Sequence, residues 1–414
     1  MRLQDFIAKC NPRVVAWLSS RDTVGEMAIA GVHSEGIRLT GARADFAVMR
    51  SDGIDFATAR LVKDMLLDID ADAAIDESVW SGVETDTPVI IAASRRQYKD
   101  LLQKLAEAGG KAALLSEALA ACLDNFYRSD FSISLGGTSL AIKSNAPLVM
   151  GILNVTPDSF SDGGDFLDPG TAVDHALEMA GHGADIIDIG GESTRPGSLS
   201  VSADEEMARV IPVVRAVAAK VSTPISIDTS KPEVARAALD EGAAIINDIT
   251  ALSDDRMRRL AAERACPVVL MHMKGSPRTM QKSPFYRDIM GEITLFLRRR
   301  IEEAVSAGVE REQLIVDPGI GFGKTVKHNL DILRRLKVLA SLGRPILVGA
   351  SRKSFLGTLT GALAPDRTAA TAAANALAVA AGAHAVRVHD VAQARQSVAV
   401  ASAIQAGQGR GTAT

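Results

Sequence analysis

The chain contains 414 residues, of which 47% are hydrophobic, and its formal net charge is −4. This length exceeds that of one ordinary domain, so we expect one large domain or two ordinary ones. The slightly acidic balance provides no general attraction to nucleic acid or to an anionic membrane surface, so any bound anion must be held by local groups.

Residues 1–130 are predicted to form a small α+β domain of unknown role. Four strands are predicted from apolar and β-branched runs near residues 36–39, 46–49, 74–79 and 89–93. Helical periodicity predicts two helices, near residues 58–67 and 95–108. This part of the sequence contains no catalytic cluster, metal-ligand spacing or phosphate loop, which favours a packing or oligomerisation role.

From about residue 146 the sequence alternates short β-branched runs with helical segments. The eight predicted strands lie near residues 149–155, 185–189, 224–228, 244–248, 267–273, 314–317, 345–349 and 384–389. Several of the helical segments end on a glycine, which is the usual left-handed stop after a helix. Eight strand–helix units are what a closed parallel (β/α)8 barrel, or TIM barrel, requires. An open doubly wound sheet would show fewer strands and a glycine-rich phosphate loop after the first strand, and that loop is missing.

The predicted fold is therefore of the α/β class, a (β/α)8 TIM barrel at residues 131–407 preceded by the small α+β domain. Within the barrel domain, residues 131–147 are predicted to form a hairpin that caps the bottom of the barrel, with Gly136 and Gly137 in its turn. The last residues, 408–414, are predicted to be a disordered tail.

Three features concern redox chemistry and location. Cys10, Cys122 and Cys266 are isolated in the sequence and give neither a disulfide framework nor a metal-binding pattern. The N-terminus, MRLQDFIAKC, lacks the basic and then apolar build of a signal peptide. The longest apolar stretch, residues 368–386, is mostly alanine, which is too weakly apolar to drive membrane insertion, and it is predicted as a packed helix running into a strand. A cytoplasmic location is expected.

Polar residues gather where the predicted barrel strands end, and in such barrels the loops at these ends build the active site. Burying so many unpaired polar groups would cost several kcal/mol each, so a ligand or water must satisfy them. The residues are Asn154, Asp188, Asp228, Asn247, His272, Asp317, Ser351, Lys353, Arg387 and His389. For His272 and Lys324 the sequence leaves open whether they contact a ligand; Lys324 can equally be a solvated loop charge.

Seven motifs then occur in order: MGILNVTPDSFSDGG at residues 150–164, followed by GGESTRPG, IDTSK, INDI, DPGIGFGK, SRKSFLG and RVHD. Across residues 131–405 the sequence thereby resembles the dihydropteroate synthase family. The resemblance implies a transferase of folate biosynthesis that condenses 6-hydroxymethyl-7,8-dihydropterin diphosphate with p-aminobenzoate, giving 7,8-dihydropteroate and diphosphate. It also implies inhibition by sulfonamides and a homodimer formed through the late barrel helices.

The resemblance assigns Asp228, Asn247 and Asp317, together with Lys353, to the pterin ring. This ring is edged with an amino group, N–H donors and a carbonyl, so it needs acceptors and an amide deep in a slot. The residues expected to bind p-aminobenzoate nearer the mouth are Ser193, Thr194, Arg195, Pro196, Phe322 and Lys353. Ser351 is expected to contact substrate as well.

An anion site suited to pyrophosphate is expected from Arg387, His389 and Asn154, with the helix that follows the last strand. Asn154 also offers a neutral oxygen to Mg²⁺, the expected cofactor, which usually binds phosphate oxygens and waters with few protein ligands.

The sequence contains no obvious nucleophile: no Ser/His/Asp order, no strand-end cysteine and no glycosidase-like carboxylate pair. This absence fits a dissociative route, in which pyrophosphate leaves first and the pterin ring delocalises the positive charge. The expected catalytic residues are Asp228, Lys353, Arg387 and His389, which act by electrostatic stabilisation. An aromatic amine is already nucleophilic at neutral pH, so no strong general base is required.

Two alternatives stay open at this point. A corrinoid-linked methyltetrahydrofolate methyltransferase would share the acidic pterin slot, but it has no reason to keep Asn154, the Ser-Thr-Arg-Pro loop or the Ser-Arg-Lys strand end. A pterin-binding paralogue without turnover would show damage in these loops or in the anion site, and none is visible.

Overall fold

The computed structural model describes residues 2–11, 13–18, 46–76, 86–156, 169–193 and 200–406. The chain forms two compact units. The first contains Met1–Arg128 and Lys337–Gly343, and the second contains Ser129–Leu336 and Arg344–Thr414. The predicted strand at 36–39 and the predicted tail at 408–414 lie outside the described residues.

The first unit is built on an antiparallel sheet of four strands in the order β1-β2-β4-β3. Its strands are β1 (Arg13–Leu18), β2 (Phe46–Ile54), β3 (Asp72–Ile75) and β4 (Thr87–Ser94). Its helices are α1 (Leu3–Cys10), α2 (Phe56–Leu67), α3 (Arg95–Ala108) and α4 (Gly110–Tyr127). The prediction of a small α+β unit is confirmed, whereas β1, α1 and α4 were not predicted.

Helix α3 begins with a reciprocal pair of hydrogen bonds. The Ser94 hydroxyl accepts from the backbone N–H of Gln97 at 3.4 Å, and the Gln97 side chain accepts from the Ser94 N–H at 2.9 Å. The Gln97 amide also donates to the carbonyls of Ile69 and Asp70, at 3.0 and 2.7 Å. One glutamine therefore caps α3 and ties its start to the turn that follows α2.

The segment Lys337–Gly343 packs in the first unit, although it comes from the barrel part of the sequence. The Asn125 side-chain amide donates to the Ser341 carbonyl at 3.4 Å, and the Lys337 ammonium lies 5.4 Å from the centroid of the Phe126 ring. Gly343 has φ +66°, and a Cβ at this position would lie 2.2 Å from Asn125 Oδ1. Glycine is required here by its backbone conformation and by the close approach of Asn125.

The second unit is an eight-stranded parallel barrel, as predicted. Its strands are β7 (Leu148–Asn154), β8 (Ile186–Gly190), β9 (Ile225–Asp228), β10 (Ile245–Asp248), β11 (Val268–Met271), β12 (Leu314–Asp317), β13 (Leu347–Val348) and β14 (Ala385–Val388), preceded by the hairpin strands β5 (Asp130–Ser134) and β6 (Ser139–Lys143). The order is β12-β11-β10-β9-β8-β7-β14-β13, and one parallel bridge between Val316 and Ile346 joins the two ends of the sheet.

The barrel strands alternate with helices, as a (β/α)8 topology requires. The helices are α5 (Pro169–Gly181), α6 (Ala203–Ala218), α7 (Pro232–Asp240), α8 (Asp255–Arg264), α9 (Ile289–Ser306), α10 (Val326–Arg334), α11 (Ser354–Thr360), α12 (Thr368–Ala380) and α13 (Val391–Ala406). The alanine-rich stretch forms α12 and leads into β14, as predicted. No helix among the described residues is long and apolar enough to cross a membrane.

The hairpin β5–β6 packs against the first residues of the barrel strands. Phe131, Ile133 and Ile142 from the hairpin belong to the same buried cluster as Leu148 and Ile186, with which β7 and β8 begin. The Gln313 side-chain amide donates to the Ser134 carbonyl, and its oxygen accepts from the Ser134 N–H, both at 2.9 Å. This apolar layer fills the bottom of the barrel and leaves the polar strand ends at the opposite mouth.

The three cysteines, Cys10, Cys122 and Cys266, are all buried, and none forms a disulfide. Burial raises the pKa of the Cys266 thiol to about 11, so it stays protonated at neutral pH.

Candidate active site

A guanidinium lies between two carboxylates at the mouth of the barrel. Arg387, on β14, donates from Nε to Asp188 at 2.5 Å and from Nη2 to Asp228 at 2.6 Å. Burial alone would lower the pKa of Arg387, but the charges of Asp188 and Asp228 hold it above its ordinary value. The guanidinium is therefore oriented from both sides before any ligand arrives.

Asp188 was not assigned a role from the sequence, and it is a central residue of this arrangement. Its side chain has no exposed surface, and its Oδ2 also accepts from the Asn247 amide at 2.9 Å. Its second oxygen, Oδ1, is buried without a hydrogen-bond partner. The signal was an acidic residue inside the apolar run IIDIG of β8, where an unpaired charge would be costly.

Asp228 is the carboxylate that faces both the guanidinium and the open part of the site. Burial raises the pKa of Asp228 to about 7, because the loss of solvent outweighs the lowering effect of Arg387 and the nearby charge of Asp188 adds to the rise. Its ionisation is thus poised near neutral pH, which is unusual for a carboxyl group and typical of functional sites.

Asp317 and Lys353 lie at the adjoining strand ends. Asp317 Oδ1 accepts from the Gly319 N–H at 2.6 Å, and burial raises the pKa of this carboxyl. Burial and the charge of Arg387 lower the pKa of Lys353 to about 8, although Asp317 and Asp228 oppose this shift. The Lys353 ammonium lies 4.2 Å from the centroid of the Phe322 ring, within cation–π range.

Ser351 and His389 join the ends of β13 and β14. Ser351 Oγ lies 2.9 Å from His389 Nδ1 and also accepts from the His389 backbone N–H at 3.2 Å. Ser351 is 4% exposed, so this pair fixes the orientation of the imidazole. Asn154, half-buried, ends β7, the neighbouring strand of β14.

A cavity of about 290 Å³ opens beside Asp228 and is lined by residues that follow β8, β9, β10 and β11. One side holds an ion cluster, in which the half-buried Lys231 ammonium contacts Glu192 and the buried Glu206, each at 2.5 Å. The cavity is also lined by residues that carry hydroxyl groups, namely Ser193, Ser200, Thr229, Ser230, Thr250 and Ser276. The mouth therefore offers both charged groups and neutral hydrogen-bonding groups to a ligand.

Several predicted site residues cannot be placed. Thr194, Arg195 and Pro196 lie outside the described residues, as do residues 157–164 of the first motif. Ser193, at the edge of the described part, lines the cavity.

The solvated interpretation of Lys324 is wrong. Its side chain is 3% exposed, and its ammonium contacts Phe322 and His272. His272 is likewise buried, and its ring packs edge-on against Phe296 at 5.0 Å.

Comparison with known proteins agrees with this geometry. A family model described as pterin binding enzyme matches residues 150–389. The chain is 48% identical over 267 residues to the dihydropteroate synthase of Escherichia coli K12, an alignment that covers 64% of this chain and 94% of that protein.

Solved structures give the same result. The Yersinia pestis dihydropteroate synthase in a sulfonamide drug complex aligns with a TM-score of 0.64 at 43% identity, covering 67% of this chain and all (100%) of that one. The Xanthomonas albilineans dihydropteroate synthase with 4-aminobenzoic acid aligns with a TM-score of 0.63 at 45% identity, covering 67% of this chain and 99% of that one.

The fold and the site are thus those of a pterin-binding enzyme on a (β/α)8 barrel. The chain belongs to the pterin-binding enzyme family and, within it, to the dihydropteroate synthases. The family, the transferase class and the function predicted from the sequence are confirmed.

Proposed function

We propose that this chain condenses 6-hydroxymethyl-7,8-dihydropterin diphosphate with p-aminobenzoate, using the barrel-mouth residues described above. The observation that carries the assignment is the frame in which Arg387 is held by Asp188 and Asp228, with Asn247 bonded to the same Asp188. A structure of a relative with 4-aminobenzoic acid supports the second substrate.

The pterin slot is proposed to lie between Asp228, Asn247 and Asp317. Two carboxyl groups and one amide present acceptors to the amino group and ring N–H donors of a pterin, and the amide can also donate to its carbonyl. Lys353 interacts with both carboxyl groups, and its ammonium also lies against the Phe322 ring. We therefore assign to Lys353 a position between the two substrates.

The diphosphate is proposed to bind near Asn154, Ser351 and His389, beside Arg387. The hydroxyl and the imidazole are held by each other, and α13 starts directly after β14, so its first N–H groups point at the same end of the barrel. Two of the donors of Arg387 already bond to Asp188 and Asp228, so its guanidinium is held in place. Its proposed role is to shape the slot and to place positive charge near the leaving diphosphate.

Mg²⁺ is proposed as the cofactor. The donors present suit an ion that is bound mainly by diphosphate oxygens and waters, with few protein ligands. Among the described residues, no group of three or more His, Cys, Asp or Glu side chains could hold a metal. Asn154 offers one neutral oxygen, which suits an ion that keeps waters and binds phosphate oxygens. When bound, the ion would neutralise charge on the diphosphate.

The reaction is proposed to begin with cleavage of the bond between the pterin methylene carbon and the diphosphate oxygen, whose electron pair leaves with the diphosphate. Asp228 and Asp317 stabilise the positive charge left on the pterin ring, and Arg387 and His389 stabilise the departing anion. The lone pair of the aromatic amine then forms the new N–C bond, and the amine loses one proton. Every contribution of the protein is electrostatic or positional.

A turnover assay tests the proposal. The purified chain should form 7,8-dihydropteroate and release diphosphate in equal amounts from the two substrates with Mg²⁺, and a sulfonamide should compete with p-aminobenzoate. A protein that binds pterin without turnover would indicate a non-catalytic paralogue, and methyl transfer from methyltetrahydrofolate to a corrinoid would indicate the methyltransferase. The homodimer and the cytoplasmic location remain predictions, and light scattering on the purified chain would test the former.

A further inference from the structure

A buried lysine joins the loops that follow β11 and β12. The Lys324 ammonium lies 2.9 Å from the Phe322 carbonyl, 3.3 Å from the His272 carbonyl and 3.0 Å from His272 Nδ1. Protonated Lys324 carries three N–H donors, which these three acceptors match. Burial lowers the pKa of Lys324 to about 7, so this form prevails below that pH. One acceptor belongs to the loop of Phe322, and two belong to the loop that starts at His272.

The histidine in this arrangement can accept a hydrogen bond from Lys324. Burial, with the positive charge of Lys324 as a smaller cause, lowers the pKa of His272 to about 2, so the ring is neutral at any working pH. Its ring is packed against Phe296 and Tyr286, at centroid distances of 5.0 and 6.0 Å. With the ring proton on Nε2, Nδ1 accepts from Lys324, and the packing against Phe296 and Tyr286 restricts rotation of the ring.

The two loops are in direct contact along a glycine-rich stretch. A Cβ at Gly319 would lie 2.0 Å from the His272 carbonyl oxygen, and a Cβ at Gly323 would lie 2.5 Å from that of Lys274. Neither position has space for a side chain. Phe322 lies between these two glycines in the sequence, and its backbone carbonyl accepts a hydrogen bond from Lys324.

The ring of Phe322 is the part of this loop that meets Lys353. It is 8% exposed, shares a cluster with Met271 and Met280, and lies 4.2 Å from the Lys353 ammonium. A shift of the Phe322 backbone would therefore move the ring away from Lys353.

We propose that Lys324 is a positioning residue that sets the affinity for the aromatic amine substrate by holding Phe322 under the Lys353 ammonium, without touching either substrate. The inference rests on the proposed function, because it takes Phe322 and Lys353 as residues that bind p-aminobenzoate. It assigns a task to a buried amino group that the mechanism does not otherwise use.

The test is a comparison of Lys324→Met with the wild type in steady-state kinetics. We expect KM for p-aminobenzoate to rise about tenfold, equivalent to about 1.4 kcal/mol of binding, while KM for the pterin diphosphate changes less than about twofold. Lys324→Gln keeps N–H donors and should recover part of the loss. Lys327→Met, at an exposed lysine three residues away, is the matched control and should behave as the wild type.

A double-mutant cycle separates positioning from general loosening of the fold. In a Phe322→Leu background, Lys324→Met should change KM for p-aminobenzoate by less than about twofold, because the ring it positions is gone. Additive effects in the cycle, or equal rises in both KM values, would overturn the inference. If Lys324→Met fails to fold, Lys324→Gln carries the same cycle. A wild-type protein without dihydropteroate formation would instead overturn the proposed function.

Discussion

The Nη2 atom of Arg387 donates to Asp228 Oδ2 at 2.6 Å across the mouth of the barrel, joining β14 to β9. Even so, burial keeps the pKa of Asp228 at about 7, so this carboxyl group changes its charge within the range in which the enzyme is assayed. The pH dependence of the reaction should therefore report the ionisation of Asp228.

We expect kcat/KM for the pterin diphosphate to rise with pH through about 7, because ionised Asp228 offers two charged acceptor oxygens to the N–H donors of the pterin and the raised pKa leaves it protonated below that value. Asp228→Asn should remove this acid limb and lower kcat/KM about ten- to a hundredfold, the value of one charge-assisted hydrogen bond. A pH–rate series from 5.5 to about 9 measures both. An acid limb that persists in the Asn variant would assign the titration to another group.

Lys353→Ala should reduce turnover strongly while leaving the fold intact. The substitution removes a cation that interacts with Asp228 and Asp317 and lies over Phe322, so both substrates lose a contact. Lys327→Ala, at an exposed lysine on α10, provides the control for loss of charge alone. Near wild-type activity in a well-folded Lys353→Ala protein would contradict the site assignment.

Asp188→Asn tests a residue that the sequence left without a role. The variant keeps the shape but leaves the half-buried guanidinium of Arg387 with one carboxylate instead of two, and the loss should be about 1.5–3 kcal/mol, the value of one hydrogen bond to a charged group. We expect a lower melting temperature and weaker pterin binding by calorimetry. Asp174→Asn, at an exposed position on α5, should change neither quantity. Unchanged pterin affinity in Asp188→Asn would mean that Arg387 is positioned by Asp228 alone.

Removal of residues before Asp130 should leave the chemistry and lower the stability. All the proposed site residues lie after that position, but Asn125 and Phe126 pack with Ser341 and Lys337 of the retained part. Thermal unfolding of the truncated protein, compared with full-length Asn125→Ala, would show how much of the loss comes from that contact. A folded truncated barrel without synthase activity would show that the first unit contributes to catalysis.

Much of the barrel could be predicted from the sequence because a parallel barrel has a simple rule. Each strand is a short buried run, and its last residues must reach the mouth, as Asp228 at the end of β9 and Asp317 at the end of β12 do. The motifs then identify the family. The bounds of the barrel strands differ from the predicted bounds by at most two residues at either end. For example, β13 contains only Leu347–Val348 of the predicted range 345–349.

The pairing of charges could not be predicted in the same way. Whether Lys324 is solvated or buried depends on the carbonyl of His272, fifty-two positions earlier in the chain. Asp188 and Arg387 are separated by 199 positions, and only closure of the barrel brings them together. Composition and periodicity report which face of an element is apolar, but they do not report which distant acceptor meets a given donor.

The first unit shows a different limit. Helix α4 buries Ala118 and Leu123 as well as Leu115 and Leu119, so its buried positions spread beyond a narrow stripe, and the helix begins at Gly110, directly after Gly109. The amphipathic pattern that predicted α3 is therefore weak in α4.

The barrel is closed between β12 and β13 by a single bridge, Val316 to Ile346, whereas β7 and β8 pair over five residues. This junction is a seam, and thermal opening should start there, with amide hydrogen exchange at β13 faster than at β7. A ligand that contacts Asp317, at the end of β12, and Lys353, after β13, would connect the two sides of this junction. Bound substrate would then stabilise the closed barrel. The increase in protection from amide hydrogen exchange should be greatest in β12 and β13, which are joined by the single bridge.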